Sequence, residues 1–405
     1  MKRLLIYILL FYYKLEFLVS RLCPYKKEES ILIVKLDAIG DMIIFMDVAQ
    51  EIRRVYNDKK IVLICNSVCL PLVENLDFFD EIIGIDKKRF LLNIIYRIRL
   101  IKKIINRKFE KVFNPVFARD YFYQDVLVRI IRAKEKIGSK GQYSNNNNII
   151  AVFISNIVDV ESISDSLKEK GDRYYDKLTE VSPDNLMEKT RNAEFCRQSI
   201  NPFFKSYLPK LSDKLPFLNS FSSLKSKDYI VIFIGASTPR KLWKKQNYVD
   251  LIKELKGKNI VLSGGKGEGR IWDEIKEEYP FDYINNVVNL IGETTLMELF
   301  SLIEHAEYII TNDTSASHIT VITRTPSVCL LGGMHFGRFQ PYKVEDISNE
   351  DKRILPKIAN YDMDCYGCNA ICKYIKDKET TWPCIENISV EMVLEKIKEI
   401  ENDKS

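Results

Sequence analysis

Two short apolar runs, far apart in the chain, each end in polar residues that lead into a helix-like segment. The first covers residues 31–35 and is followed by Gly40 and Asp41; the second covers residues 308–311 and leads into the polar stretch 312–318. Parallel sheets bind ligands at the carboxyl ends of their strands, and a helix that starts there presents N–H donors to an anion. The chain is therefore predicted to contain two α/β domains, each with a candidate anion site, most simply for phosphate.

Apolar runs and helical patterns alternate on both sides of these junctions. Strands are predicted at residues 31–35, 60–65, 81–85 and 111–114, with helices at 42–56, 69–76 and 88–106 between them. From residue 228, strands are predicted at 229–234, 259–262, 308–311 and 327–331, with helices at 247–255, 269–278 and 295–305. This alternation is typical of parallel sheets with crossover helices. The predicted fold class is α/β, with two Rossmann-like domains.

The domain limits follow from breaks in this pattern. A chain of 405 residues is longer than single cores usually grow, which is roughly 250 to 300 residues. We place the first domain at 31–215 and the second at 216–388, with the proline-containing segment 202–226 as the linker. Between residues 133 and 182 there is little periodicity until Tyr174, and the Asn-rich run at 145–148 is predicted to form an irregular loop.

Both ends of the chain are predicted to be helical regions outside the two domains. Residues 1–30 begin with basic and apolar residues, but Lys14 interrupts the apolar run, which is too short to span roughly 30 Å of hydrocarbon. We expect the helix over 1–22 to lie on a membrane surface; the alternative is that it packs on the protein itself. Residues 389–405 have apolar residues spaced for one face of a C-terminal helix.

Nine cysteines indicate the redox environment. Cys65, Cys69 and Cys329 lie in apolar strand-like runs, which favours buried, reduced thiols over a disulfide scaffold. The expected location is cytoplasmic, peripheral on the inner face of the cytoplasmic membrane.

Four other cysteines form a separate pattern near the C-terminus. Their spacing is C-x2-C-x3-C-x11-C, and they are Cys365, Cys368, Cys372 and Cys384. Four thiolates at this approximate spacing are typical of a structural zinc site. Reduced thiols that pack in the interior and local disulfides remain alternatives. A catalytic metal is not indicated, because the cluster has no His or Glu partner beside it.

Charge argues against nucleic-acid binding. The net charge of +5 is small for this length and the basic residues are dispersed. One locally dense segment, residues 97–108, is interpreted as the solvated face of a helix, with contact to an anionic glycan or lipid surface as the alternative.

The order of these motifs resembles glycosyltransferase family 9, the heptosyltransferase-like group, from about residue 31 to about residue 397. The matching elements are Gly40-Asp41, Gly235-Ala236-Ser237 with Lys241-Leu242-Trp243, Ser263-Gly264-Gly265, Asn289-Leu290-Ile291-Gly292, Asn312-Asp313-Thr314-Ser315 with His318, and the cysteine cluster. The resemblance implies the GT-B architecture, in which two Rossmann-like domains face each other across a cleft and the last helix returns to the first domain.

Two catalytic residues are implied by this resemblance. Asp41 matches the aspartate to which the family assigns the role of general base, and Lys241 matches a lysine that contacts the leaving diphosphate. The alternatives are a carboxylate that only stabilises the start of a helix and a solvated surface lysine.

A larger set of residues is expected to bind the donor through close backbone approach, hydroxyl and carboxylate contacts, or a phosphate contact from an imidazole. This set is Gly40, Ser237, Gly264, Gly265, Glu268, Asp313, Thr314, Ser315 and His318. Three positions depart from the family pattern: Ser315 and Arg324 stand where glycine is frequent, and Asp47 where proline is frequent. These departures put the identity of the donor and the acceptor in question, and they bear less on the class of reaction.

The resemblance implies an inverting glycosyltransferase that needs no metal or other cofactor for catalysis. Its donor is expected to be a nucleotide-diphosphate sugar, with ADP-heptose as the first choice, and its acceptor a lipopolysaccharide or related glycolipid or glycan. The alternatives are a GT-B sugar-nucleotide epimerase or hydrolase, and a catalytically inactive sugar-nucleotide-binding protein.

Overall fold

The computed structural model describes residues 2–141, 167–182, 186–209, 211, 224–236, 238–278, 286–368, 372–375 and 380–403. The chain divides into two compact units. The first comprises Met1–Pro183 and Arg191–Phe204, and the second Asp184–Thr190 and Lys205–Ser405. The first unit thus ends at Phe204, before the boundary predicted at residue 215.

The first unit is built on a 7-stranded parallel sheet. Its strands are β1 (Lys26–Lys27), β2 (Ser30–Lys35), β3 (Lys60–Asn66), β4 (Glu81–Ile85), β5 (Arg107–Asn114), β6 (Arg132–Ser139) and β7 (Lys177–Thr179). They are ordered β4-β3-β2-β5-β6-β7, and β1 pairs with β5. Its helices are α1 (Lys2–Leu22), α2 (Ile39–Val55), α3 (Leu70–Val73), α4 (Lys87–Leu92), α5 (Ile94–Ile105) and α6 (Val126–Ile130), and the division between the units crosses α7 (Glu188–Ser199).

The sequence of β2 explains its central place in this sheet. Every residue of SILIVK is buried, and Ile31 to Lys35 pair with Ile61 to Cys65 of β3. A strand that reads as a continuous apolar run is stable only where both faces of the sheet are covered. Helix α2, which follows β2 directly, has a buried apolar face from Met42 to Ile52.

The second unit has a 6-stranded parallel sheet in the order β10-β9-β8-β11-β12-β13. These strands are β8 (Ile230–Phe233), β9 (Ile260–Ser263), β10 (Val287–Asn289), β11 (Ile309–Asn312), β12 (Ser327–Leu330) and β13 (Lys357–Ala359). The helices are α8 (Lys245–Glu254), α9 (Gly269–Glu278), α10 (Leu296–Glu304), α11 (Ser315–Ile322), α12 (Asn349–Arg353), α13 (Pro383–Glu386) and α14 (Val390–Asn402). The structure thus confirms the two Rossmann-like units that the alternation of strands and helices predicted.

Two local predictions in the first unit were wrong. The single helix expected at 88–106 is divided, because Asn93 ends α4 and its side chain accepts a hydrogen bond from Tyr96 N at the start of α5. The segment that starts at residue 133, expected to be irregular, begins with most of β6, and residues 142–166, which include the Asn-rich tract, lie outside the described residues.

The C-terminal helix α14 belongs to the second unit. The Ser389 hydroxyl caps its start, and Val393, Ile397 and Ile400 are buried in the core of the second unit. The predicted apolar face is confirmed. Within the described part of the chain, no helix combines the length and apolar character needed to cross a membrane.

Candidate functional site

The sheet of the second unit reverses its winding between β8 and β11, and two charged side chains meet there. Lys241 follows β8 and Asp313 follows β11. Lys241 Nζ lies 2.7 Å from Asp313 Oδ2 and 3.3 Å from the Asp313 carbonyl oxygen. Because open α/β sheets bind ligands at such switch points, this ion pair marks the candidate site of the second unit.

The Lys241–Asp313 pair is nearly removed from water, since the side chains are only 9% and 8% exposed. Burial raises the pKa of the Asp313 carboxyl, but the Lys241 ammonium and its hydrogen bond outweigh burial and hold that pKa below its usual range. Asp313 is therefore a carboxylate at neutral pH. The sequence interpretation of Lys241 as a possible solvated lysine is excluded.

The segments that carry the pair are anchored on both sides. Trp243, two residues after Lys241, donates its indole N–H to the Ile388 carbonyl at 2.8 Å. Asn312, before Asp313, donates its side-chain amide to the Gly235 carbonyl at 3.0 Å and to the Tyr248 hydroxyl at 2.9 Å. These bonds fix the ends of β8 and β11 relative to each other.

Two histidines lie within electrostatic range of this pair. Burial is the main cause that lowers the pKa of His318 to about 4 and that of His335 to about 3, and the Lys241 charge lowers both further. His318 Nδ1 is 2.8 Å from the Tyr342 hydroxyl oxygen. Both imidazoles are consequently neutral at pH 7.

His335 was missed in the sequence analysis. It follows Gly332 and Gly333 shortly after β12, so it lies at a strand end next to that of Asp313. The ring centroid of Phe339 is 5.1 Å from that of His335 and 6.4 Å from that of His318. The same strand-end logic that singled out Asp313 could have found it.

The start of α11 is less open to a ligand than its sequence suggests. The Thr314 hydroxyl accepts from Ala316 N at 3.3 Å, and the Thr314 carbonyl accepts from Ser317 N and from the Ser317 hydroxyl. Ser315 is the first helical residue and has no positive φ. Serine therefore replaces the glycine frequent at this position without left-handed backbone strain.

Arg324 does adopt the left-handed conformation that glycine would favour, with φ 57°. Its guanidinium donates to the carbonyls of Val321 and Leu208, at 2.9 Å each, and pairs with Asp351 at 3.1 Å. These contacts offset the backbone strain. Asp47, the other departure from the family pattern, is fully buried in α2.

Glu268 lies close to Gly265, which is expected to contact the donor, and to Gly235, which follows β8. A Cβ at Gly265 would lie 2.8 Å from Glu268 Oε2, and a Cβ at Gly235 would lie 2.9 Å from Glu268 Cδ. Burial raises the pKa of this carboxyl above its ordinary value. Glu268 Oε2 is buried and has no hydrogen-bond partner among the described residues, so it is an acceptor available to a ligand. Gly264 is buried between this carboxylate and Ile291.

In the first unit, Gly40 and Asp41 lie in α2 rather than in a turn. The helix begins at Ile39, after Ala38, whose side chain makes no capping bond. Asp41 is therefore in the first helical turn, as predicted, where its charge stabilises the helix start. Gly40 is a buried helical residue, and its expected close approach to the donor stays a prediction.

A second acidic residue beside Asp41 was not singled out from the sequence. Asp37 Oδ2 lies 2.7 Å from the buried ammonium of Lys35, and Asp37 Oδ1 accepts from the Gln124 amide at 3.4 Å. Asp37 and Asp41 both contribute charge around the buried Cys69 thiol. The carboxyl end of β2 is thus an acidic site with one buried cation.

The four C-terminal cysteines are free thiols. Burial raises the pKa of the Cys384 thiol, and the charges of the other three cysteines raise it further, which places the four sulfurs in one neighbourhood. Nevertheless, no group of three or more potential ligands in the described residues has the arrangement of a metal site. The zinc interpretation stays a prediction. Ser237, expected to bind the donor, lies outside the described residues.

Comparisons with known proteins agree with this arrangement. The family model described as glycosyltransferase family 9 (heptosyltransferase) matches residues 97–360. Lipopolysaccharide heptosyltransferase 3 of Escherichia coli is 23% identical over 312 residues, which are 75% of this chain and 83% of that protein. Lipooligosaccharide heptosyltransferase 2 of Campylobacter jejuni is 24% identical over 205 residues; the match covers 50% of this chain and only 60% of that relative.

A solved structure extends the likeness to the whole fold. The Escherichia coli ADP-heptose lipopolysaccharide heptosyltransferase II superimposes with a TM-score of 0.61 at 18% identity, covering 93% of this chain and 100% of that one. At this identity the match is evidence for the fold alone, and it confirms the predicted GT-B class.

Proposed function

Because the chain belongs to glycosyltransferase family 9, the heptosyltransferases, we propose that it moves a sugar from a nucleotide-diphosphate donor onto a lipopolysaccharide or related surface glycan. The proposed donor is ADP-heptose, which the name of a structural neighbour includes. The proposed reaction inverts the anomeric centre and uses no metal ion.

The observation that carries this proposal is the buried Lys241–Asp313 pair at the switch point of the second unit. A diphosphate leaving group gains negative charge as its bond to the sugar breaks, and a fixed ammonium in a site of low polarity stabilises that charge strongly. Asp313 holds the ammonium in place and, being ionised, can also accept hydrogen bonds from the sugar hydroxyls.

The neutral histidines suit the same task. An imidazole whose Nδ1 accepts the Tyr342 hydroxyl carries its hydrogen on Nε2 and can donate it to a phosphate oxygen. We assign this tautomer to His318, whose Nδ1 lies 2.8 Å from the Tyr342 hydroxyl oxygen, and His335 adds a second imidazole at the same sheet edge. Glu268, with its unpartnered buried oxygen, is assigned to a hydroxyl of the nucleotide ribose.

Asp41 is assigned as the general base in this proposal. Its carboxylate takes the proton of the acceptor hydroxyl, the acceptor oxygen forms a bond to the anomeric carbon, and the bond from that carbon to the diphosphate breaks. The nucleotide diphosphate leaves with the electron pair of the broken bond. The position of Asp41 in the first turn of α2, at the carboxyl end of β2, supports the assignment.

The test is a transfer assay with ADP-heptose, with its hydrolysis and its binding measured separately. We expect transfer to a heptose-accepting lipopolysaccharide core, binding that is lost in Lys241→Ala and weakened about tenfold in Glu268→Gln, and no effect of Lys253→Ala. Lys253 is a matched control because it lies on α8 of the same unit and its side chain is 57% exposed.

Other outcomes distinguish the alternative functions. Consumption of the donor without a glycan product would favour an epimerase or hydrolase. Tight donor binding with no turnover would favour an inactive binding protein. Absence of binding to every nucleotide sugar would refute the assignment of the second unit as the donor site.

We further propose that the protein works at the cytoplasmic face of a membrane, with the N-terminal helix on the lipid surface. The support is the apolar face of α1, which remains exposed although the helix also packs on the first unit: Phe11 is 68% exposed and Leu22 85%, whereas Tyr13 is buried. The proposal thus combines the two interpretations made from the sequence, a helix on a membrane surface and a helix that packs on the protein itself.

A further inference from the structure

Exposed large apolar side chains of the first unit concentrate on two helical segments. On α1 they are Phe11, Leu15, Leu18, Val19 and Leu22, and on α4–α5 they are Leu92, Ile94, Ile95 and Ile98. Scattered exposed apolar residues are normal on a protein surface, but neighbouring clusters mark interaction sites. The exposed apolar residues of α4–α5 have no place in the function proposed above.

On α1 the exposed and buried residues lie on opposite faces. Phe11, Leu15, Leu18 and Leu22 follow one another at spacings of four, three and four residues, which places them on one stripe of the helix. Tyr13 lies on the other side, buried against the first unit, and its hydroxyl points to the Phe122 carbonyl at 3.5 Å. The exposed stripe is therefore not needed for packing on the unit.

A buried ion pair joins α1 to α5. The Arg97 guanidinium donates two hydrogen bonds of 2.7 Å to the two carboxylate oxygens of Glu16. The same guanidinium lies 4.5 Å from the ring centroid of Tyr13 and 4.1 Å from that of Phe90. With side chains only 3% and 7% exposed, this buried pair links α1 to α5 on the first unit.

The charged residues of these helices are predominantly basic. Residues 87–105 contain seven Lys and Arg and no Asp or Glu, and Glu16, the one acidic residue of α1, is held by Arg97. Lys102 is four residues after Ile98 and seven after Ile95, so it continues their face along α5. Lys14, Lys88, Arg99, Lys102 and Lys103 are exposed and have no ion pair among the described residues.

We infer that the three helices α1, α4 and α5 form a single surface that binds an anionic lipid bilayer. The apolar residues Ile94, Ile95 and Ile98 would enter the interface between headgroups and acyl chains, while Lys102 and its basic neighbours bind lipid phosphates. The inference rests on the proposed peripheral location and extends it from the N-terminal helix to a second element. The excess of unpaired cations beside the apolar residues favours an anionic membrane over a second copy of this chain.

The experiment measures sedimentation of the full-length protein with vesicles of phosphatidylcholine, with and without phosphatidylglycerol. We expect binding that requires phosphatidylglycerol. Ile95→Glu/Ile98→Glu should lower the partition coefficient at least tenfold, and Lys102→Glu/Lys103→Glu by about fivefold per lysine, with a weaker dependence on salt than the wild type. Val55→Glu/Val68→Glu is the control, since both valines are exposed elsewhere in the first unit.

Unchanged vesicle binding in both α5 variants would overturn the inference. So would a wild-type dimer in solution that the Ile95→Glu/Ile98→Glu exchange makes monomeric, because the surface would then belong to a second copy. Should the double glutamate variant fail to fold, Ile95→Ser and Ile98→Ser are tested singly, with circular dichroism as the folding control. ADP-heptose binding, which lies in the second unit, should remain normal in every variant; its absence from the wild type would count against the proposed function and not against this surface.

Discussion

Replacing Lys241 by methionine removes the ammonium from beside Asp313 without leaving a large cavity. The carboxylate then stays buried with no opposite charge at 2.7 Å. Removing one partner of a buried ion pair typically costs about 3 to 5 kcal/mol, whereas exchanging both partners for apolar residues is often neutral or stabilising. We therefore expect Lys241→Met to destabilise the second unit by about 3 to 5 kcal/mol and Lys241→Met/Asp313→Leu to be close to the wild type.

The pH dependence of this loss has a defined sign. In the wild type the pKa of Asp313 is below its ordinary value, so the pair stabilises the fold above that ordinary pKa and the contribution is lost as the pH falls through the lowered one. Without Lys241, burial acts alone and raises the pKa of Asp313, so the variant loses stability as the pH rises. The stability gap between wild type and Lys241→Met should be smaller at pH 5 than at pH 7.

Tryptophan fluorescence during urea unfolding measures this effect in the relevant unit. The protein has three tryptophans, Trp243, Trp272 and Trp382, and all belong to the second unit. The exposed-lysine control, Lys253→Met, should change the free energy of unfolding by less than about 0.5 kcal/mol. Donor binding provides the second readout: we expect both the single and the double variant to lose it, although only the single variant is unstable.

The reasoning fails if Lys241→Met and Lys253→Met are equally stable at pH 7, or if the gap to the wild type does not change with pH. Either result would mean that the Asp313 carboxylate is solvated. A double variant as unstable as the single one would show that the destabilisation comes from lost packing rather than from an unpaired charge.

Three further outcomes are expected. Asp41→Asn should reduce sugar transfer by at least about a hundredfold while ADP-heptose binding is retained, and unchanged turnover would remove Asp41 from the mechanism. As the pH falls, His318 and His335, with pKa values of about 4 and about 3, become protonated in the unfolded chain at a higher pH than in the folded one. The free energy of unfolding of the second unit should therefore fall by about 2 kcal/mol per histidine between pH 7 and pH 5. Replacing either histidine by glutamine should reduce this pH dependence in urea unfolding. Finally, purified protein should contain about one equivalent of zinc by elemental analysis if the four C-terminal cysteines bind it, and a metal-free protein with four titratable thiols would contradict that prediction.

Part of the site could be predicted because its signals are local. The apolar run of β11 followed by Asp313 and Thr314 predicts a strand, a turn and a helix without reference to the rest of the chain, and the structure has them within one residue. Lys241 was found in the same way, through the loop after β8. Its partner was not predicted, because a contact across 72 residues depends on β8 and β11 being neighbours in the sheet.

Misjudged segments show where local signals fail. Strand β6 has the charged sequence RAKEKIGS and did not look like a strand, yet Lys136 is accommodated because its ammonium donates to the Val128 carbonyl at 2.6 Å. Arg97 was interpreted as a solvated residue on a basic helix, but Glu16, 81 residues earlier, pairs with it in the core. Neither partner can be recognised from the residues nearby.

By itself, the sequence determined the α/β class, the two units, most strand ends and the family, because apolar periodicity and the polar residues that terminate strands act over a few residues. Only the tertiary structure decided which of these strand ends lie side by side, that Lys241 is neutralised by Asp313, and that His335 joins them. It also decided that α14 packs its apolar face into the core of the second unit and that α1 leaves an apolar face exposed. The physical reason is that burial and charge pairing depend on strand order and on partners distant in the chain, which set the energy of a charged side chain more strongly than its own sequence neighbours do.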